Sequence, residues 1–364
     1  MKKQNYITVG VLSLFFLGMF LWTSLTDTPV YSDSERRVLA SFPKCSVDRI
    51  LDGSFAKDFD KYAVERFPAR DTWRSIKAYA SKALLQKDNN GLYTADGHIS
   101  KLEYPVNPEM MDHAAFVMGM VYDKYLKNKE NYNLYLAVIP DKNRYLAEPS
   151  GRLSMDYNQF SADMAAKADF AKYIEIAGLM DADDYYMTDS HWKQEKILNV
   201  AEHLTKEMGS YMPQTYITKT ATAGFQGVYL GQSALYHKPD TIQYLTNDLL
   251  EQVQVEGAKA VYDLEKSRGK DPYELFLSGN QPVVTLKNTM VTDGKRLILF
   301  RDSFGSSLAP LMLAGYEEIV LVDLRYISSE LLGNYVDFSS EAAGQTDVLF
   351  LYSTSLLNNA LSMQ

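Results

Sequence analysis

Hydrophobic residues are arranged in three different ways along the 364-residue chain. From Ile7 to Leu25 they run without a single charged residue, rich in Leu, Phe and Val. A helix over that stretch rises about 28 Å, close to the ~30 Å apolar core of a bilayer. From Val47 to Leu85 the apolar positions fall at helical intervals instead: Ile50, Phe55, Phe59, Tyr62, Phe67, Trp73, Ile76, Tyr79 and Leu84, interrupted at Phe67-Pro68. This spacing predicts two or three amphipathic helices whose apolar stripe docks on the main body. Residues 26–45, with Pro29 and Pro43, read as a linker before them.

The remaining chain alternates short apolar runs with helical periods. Turn residues flank 90–93 and 96–99, which predicts a hairpin. Helices are expected over 108–128, 160–177, from Trp192 to about Met208, 304–314 and 328–335. Strands are expected over 134–139, 185–187, 296–300, 319–322 and 348–352; residues 212–292 are less regular, with Gly-rich turns and short polar stretches. Strands alternating with helices imply right-handed crossovers and a mainly parallel α/β sheet. The organisation read from the pattern is a cytoplasmic tip and membrane helix over 1–25, linker and amphipathic helices over 26–89, and an α/β domain over 90–364.

Composition sharpens this picture. Apolar residues are 46% and charged residues 23%, which excludes a disordered chain. The net charge of −9 argues against nucleic-acid binding, which needs a basic face. Lys2 and Lys3 precede the apolar run and Trp22 lies near its far end, so the N-terminus is expected in the cytoplasm and the rest outside. No small-residue cleavage site follows, which favours an uncleaved signal anchor over a cleaved signal peptide or a buried core helix. Removing residues 1–25 removes two lysines and no acid, leaving the outer part at about −11. The single cysteine, Cys45, excludes an internal disulfide, a CxxC pair and a cysteine zinc site, and is read as an inert thiol. An outside location without disulfides fits a bacterial cell-membrane protein.

Sites in parallel α/β sheets form at the carboxyl ends of strands. Ser303 stands at such an end, in Arg301-Asp302-Ser303-Phe304-Gly305, where a helix begins. Helix amides at that point favour an anion such as a tetrahedral acyl-transfer intermediate; the alternative is an N-cap serine. The second signal is Asp189-Ser190-His191-Trp192. A serine nucleophile needs a base, and the base needs a partner on its other ring nitrogen. Asp189 and His191 sit two apart, so an extended segment points them the same way. A turn with a surface histidine, or half of a metal site, is the alternative; the other histidines lack ligand spacing, so no metal is expected.

Taken together, Asp189–Trp192 and Asp302–Gly305 resemble the DHHW family of bacterial surface proteins, which is similar to the alginate O-acetylation proteins with their SGNH-hydrolase-like fold. Further segments carry the resemblance: 34–43 (SERRVLASFP), 65–71 (ERFPARD), 90–93 (NGLY), 139–145 (IPDKNRY), 225–229 (FQGVY), 276–282 (FLSGNQP) and 322–326 (VDLRY). The resemblance implies an SGNH-like three-layer domain, with Ser303 as nucleophile, His191 as base and Asp189 as its orienting acid. Two departures stand out: Ser190 where the family name has His, and Arg301 where the SGNH serine block has Gly. Gly279 and Asn280 resemble the oxyanion-hole Gly and Asn of SGNH enzymes, although a Gly-Asn turn explains them equally. Arg325 could bind an anionic or carbonyl group or pair with Asp323. Tyr352 and Lys142 follow or end strands, so each could face the cleft. Tyr185, Tyr186 and Trp192 could stack on sugars or fill the core.

The reading that results is an extracytoplasmic serine O-acetyltransferase of a cell-surface or exported polysaccharide, without a cofactor. The resemblance implies a membrane-bound O-acyltransferase as the partner that brings acetyl groups across. An acetyl esterase with the same residues, and a non-catalytic subunit of a polysaccharide-modifying complex, are the alternatives.

Overall fold

The computed structural model describes residues 2–25, 29–84, 88–291, 294–338 and 344–364. They fall into two units, one of residues 1–90 with 230–236, the other of residues 91–229 and 237–364.

In the first unit the uncharged run forms the helix Lys2–Leu25. Its stretch Asn5–Thr23, with a mean hydropathy of 1.8, is long and apolar enough to cross a membrane. Three further helices follow, Val47–Leu51, Ser54–Glu65 and Arg70–Leu84. They match the helical spacing, but much of the apolar stripe stays exposed, including Ile50, Val64, Trp73, Ile76 and Leu84. Cys45 is exposed as well.

The second unit is built on a seven-stranded sheet among the described residues. Across the sheet run Lys172–Tyr173, Tyr132–Ile139, Thr346–Ser353, Arg296–Arg301, Glu318–Val322, Val283–Lys287 and Gln254–Glu256. The first five are parallel, and the last two add on antiparallel. Arg296–Arg301 and Thr346–Ser353 are buried at every position, because side chains of both faces are covered. Leu297, Leu299, Leu349 and Leu351 enter one core with Val200, Leu204 and Leu308. Ile298, Phe300, Val348 and Phe350 enter the other with Met118, Val121 and Phe160. The result is an α/β domain with helices on both faces of a mostly parallel sheet.

Local chemistry explains where the expected boundaries move. Asn107 caps the helix Pro108–Val121 through Met110 N at 3.3 Å, and the helix loosens into a π-turn over Tyr122–Leu126. Asp156 accepts from the amides of Asn158 and Gln159, so the next helix starts at Tyr157 and stops at Lys167, well short of residue 177. Residues 185–187 form no strand beyond one bridge, Tyr185 to Trp192. Residues 328–335 form a 3₁₀ segment, Ser329–Asn334. The less regular stretch holds an antiparallel hairpin, Ile217–Phe225 with Asp240–Thr246. Its first strand, rich in Thr and largely exposed, favours a pleated backbone without displaying an apolar face.

Because Tyr132–Ile139, Arg296–Arg301, Glu318–Val322 and Thr346–Ser353 are parallel, their carboxyl ends share one edge of the sheet. Lys142, Ser303 and Asp323 follow three of those ends.

Candidate active site

Ser303 lies between the strand Arg296–Arg301 and the helix Phe304–Met312, in helical backbone (φ −60°, ψ −24°). Its side chain makes no capping bond. Asp302 does that work: one carboxylate oxygen accepts from Phe304 N at 3.0 Å and the other from Ser353 N at 2.9 Å. The Asp302 carbonyl accepts from Gly305 N at 3.1 Å. The first helix amides are therefore occupied rather than free for an anion. The Ser303 amide has no acceptor among the described residues.

The serine hydroxyl instead meets His191, with Oγ 2.7 Å from Nε2. On the other side of the ring, Nδ1 is 2.6 Å from Asp189 Oδ1. With the ring proton on Nδ1, the imidazole donates to the carboxylate and accepts from the serine. Asp189 is completely buried, and its remaining oxygen accepts from Val228 N at 2.8 Å. His191 N also donates to Asp189 Oδ1 at 3.1 Å, which closes a tight turn over the two-residue spacing. Ser190 lies between them, its Oγ 3.4 Å from Asp189 Oδ1.

The turn is held from three sides. Asp240, from the hairpin, accepts from the amides of Met187 and Thr188 at 2.9 and 2.8 Å and from the Thr188 hydroxyl at 2.6 Å. Gly227 passes so close that a Cβ there would lie 2.3 Å from Thr188 O and 2.4 Å from Asp189 Cβ. Lys142, completely buried, donates through Nζ to the carbonyls of Tyr186, Met187 and Asp189 at 2.8, 3.2 and 2.7 Å. Burial pushes its pKa down to about 7, against the pull of Asp189 and Asp240.

The imidazole itself is sandwiched. Tyr273 stacks on it with ring centroids 3.9 Å apart and planes 14° apart, and Phe304 packs at 4.9 Å. The Tyr273 hydroxyl meets Ser307 Oγ at 2.9 Å, and Ser307 Oγ also accepts from Trp192 Nε1 at 2.8 Å. The helix carrying Ser303 and the loop carrying His191 are thus tied one turn away from the serine. Tyr273, Asp240 and Lys142 had no local signal for these roles, although Lys142 did mark a strand end.

Arg301 is completely buried beneath the helix, 3.4 Å from Asp323 Oδ2 and from the Gln281 carbonyl. Burial lowers its pKa, and its Nε has no acceptor among the described residues. Gly305 makes room for it: a Cβ there would lie 2.6 Å from Arg301 Cβ. The turn therefore accommodates an arginine where the related motif has glycine. Arg325 forks onto Asp323 with contacts of 2.8 and 2.6 Å, as the pairing alternative has it, but its carboxylate partner is buried rather than on the surface. Gly279 adopts φ +86°, which suits glycine, and Asn280 is exposed. Tyr352 is completely buried in a core, its hydroxyl without a partner among the described residues. Tyr185, Tyr186 and Trp192 are buried too and offer no face to a sugar. Among the described residues no three His, Cys, Asp or Glu side chains gather as a metal-holding group.

No protein-family model matches the chain, and no curated protein matches it in sequence. Solved structures do. A DHHW family protein from Eubacterium siraeum covers 76% of this chain and 95% of its own, at 20% identity and a TM-score of 0.58. This chain shares their fold. Bacillus cereus PatB1 carrying a sulfonyl adduct covers 73% of this chain and 94% of its own, at 16% identity and a TM-score of 0.54. A second PatB1 structure covers 73% and 96%, at 15% identity and a TM-score of 0.53. The likeness is one of fold.

Proposed function

We propose that this protein is a membrane-anchored serine O-acetyltransferase acting outside the membrane on a cell-surface or exported polysaccharide, with an SGNH-like arrangement of Ser303, His191 and Asp189. The observation that carries the reading is the unbroken line from Ser303 Oγ to His191 Nε2 at 2.7 Å and from His191 Nδ1 to Asp189 at 2.6 Å. In this reading Ser303 Oγ attacks the acetyl carbonyl carbon while its proton passes to His191 Nε2. The bond to the donor's leaving group breaks as His191 returns that proton to it, leaving acetyl on Ser303. A sugar hydroxyl then gives its proton to His191 and attacks the acetyl-serine ester. The released serine oxygen takes the proton back.

Asp189, buried and anchored by Val228 N, keeps the imidazole proton on Nδ1 and offsets the charge that develops on the ring. The Ser303 amide is the backbone donor left over to meet the oxyanion, with Asn280 and Arg325 as weaker candidates; the Gly279 amide is bonded to Phe276 O at 3.2 Å and Tyr352 is sealed in the core, so neither is free to take that role. The acetyl group and the polysaccharide acceptor come from the sequence resemblance to the DHHW and alginate O-acetylation proteins. A membrane O-acyltransferase would supply the acetyl group, and the N-terminal helix would keep the two together.

The test uses the full chain in detergent with an acetyl ester donor, with and without an oligosaccharide acceptor. Acetylated acceptor that disappears in Ser303→Ala supports the proposal. Hydrolysis that no acceptor diverts makes the protein an esterase. Unchanged polysaccharide acetylation in cells carrying Ser303→Ala makes the site non-catalytic.

A further inference from the structure

The first unit holds a cavity of about 730 Å³, within the range of small-ligand sites, that acyl transfer leaves unused. Glu35, Arg37, Phe67, Arg70 and Asn90, from segments that marked the resemblance, line it without a role in the serine site. Its apolar wall includes Phe67, Val64 and Trp73. Val64 is 68% exposed and Trp73 44% exposed, large apolar surface left open. Its basic wall is Arg37, Arg70, Arg74 and Lys77, in a chain whose net charge is −9.

The three arginines are paired: Glu35 takes Arg70 at 2.6 Å and Arg37 and Arg74 at 3.2 Å, Glu65 takes Arg37 at 2.8 Å, and Asp71 takes Arg74 and Arg70 at 3.2 and 3.5 Å, which leaves the charge of Lys77 uncompensated. Arg74 is further spent on the carbonyls of Gly231 and Gln232 at 2.8 and 3.2 Å. Arg70 Nε remains buried without an acceptor, and Lys77 makes no ion pair among the described residues. Both residues line the cavity, so its wall offers a guanidinium N–H without an acceptor and an ammonium without an ion pair to an anion's oxygens.

Two further observations say what carries the anion. Trp73, Ile76 and Lys77 stand at i, i+3 and i+4 on the helix Arg70–Leu84, so the apolar surface and the cation share one face. Ile76 is 53% exposed. A free phosphate would use the cations and leave that apolar rim in water. A membrane interface uses both. The membrane-length helix ends at Leu25, and Pro29 follows within about 15 Å of chain. The unit is therefore tethered close to a bilayer.

We propose that this cavity takes the headgroup of an anionic phospholipid, with its phosphate against Arg70 and Lys77 and with Val64, Trp73 and Ile76 in the interface. The proposal does not rest on the chemistry of Ser303.

The experiment uses the full chain in a Cys45→Ser background, with Val64→Cys carrying an environment-sensitive fluorophore. It is placed in nanodiscs of phosphatidylcholine alone or with phosphatidylglycerol. Anionic lipid should brighten the probe about twofold and shift it to the blue, and about 0.5 M salt should reverse the change. Lys77→Glu, at an exposed position, should abolish the response while far-UV circular dichroism stays that of the folded chain. Equal emission in the two discs overturns the proposal, as does a full response in neutral lipid. The same change with inorganic phosphate and neutral discs overturns the lipid assignment. Sulfonyl fluoride labelling of Ser303, measured in the same discs, reports on the serine site separately.

Discussion

Lys142 offers a sharp quantitative check on how the loop bearing Asp189 and His191 is held. Its ammonium is completely buried and aimed at three carbonyls of residues 186, 187 and 189. Burial outweighs these acceptors and brings its pKa from 10.5 to about 7. The unfolded chain therefore binds this proton more tightly than the folded one between pH 7 and 10.5. Stability must rise with pH across that window, and the penalty is complete below about pH 7. The full shift corresponds to about 5 kcal/mol at ~1.36 kcal/mol per unit. Between pH 7.5 and 9.5 the contribution of Lys142 is about 2–3 kcal/mol. Lys142→Met keeps the length of the stem and removes the titration. Denaturant unfolding followed by near-UV circular dichroism should give a wild-type stability that climbs, relative to Lys142→Met, by that amount over those two units. Other titrating groups are common to both chains and cancel. Parallel stability curves would refute the buried-ammonium reasoning, and a wild-type curve that falls relative to the variant would reverse its sign.

Three more outcomes follow from the same geometry. Asp189→Asn should leave the fold intact but favour the wrong ring tautomer, lowering turnover of an acetyl ester by ~10⁴-fold, as in the Ser-His-Asp template; steady-state kinetics read this directly. Tyr273→Leu removes the ring stacked on His191 and should lower kcat/KM about tenfold as the imidazole loses its packed orientation, whereas Tyr273→Phe should keep kcat/KM and lose about 1 kcal/mol of stability with the Ser307 contact. Gly227→Ala forces a Cβ against the Thr188 carbonyl and should cost about 1–3 kcal/mol in thermal unfolding, with activity falling alongside as Asp189 is displaced.

The α/β class was legible because the strands ending before Pro140, Asp302 and Asp323 are continuous apolar runs buried on both faces. The exposed, Thr-rich strand Ile217–Phe225 was not, since only Ala221 and Phe225 of it meet a core and no alternation runs along it. The same limit governs the site. Ser303 was marked by its place after a strand and Asp189 with His191 by their spacing, both local features. The sequence separation of 112 from His191 to Ser303 is bridged by topology alone. Tyr273 and Asp240 act through ring packing and backbone amides brought from other elements, and no local pattern encodes such contacts. Arg301 looked disruptive next to a glycine motif because the space left by Gly305 four residues later exists only once the helix has formed.

The central claim is that Ser303 is the residue that carries the acetyl group. Peptide mapping by mass spectrometry, after brief incubation of the full chain with an acetyl ester and acid quenching, tests it most directly. The account predicts acetyl on the peptide containing Ser303, greatly reduced in His191→Ala and absent in Ser303→Ala. Acetyl on another residue, or transfer to acceptor that persists in Ser303→Ala, would contradict it.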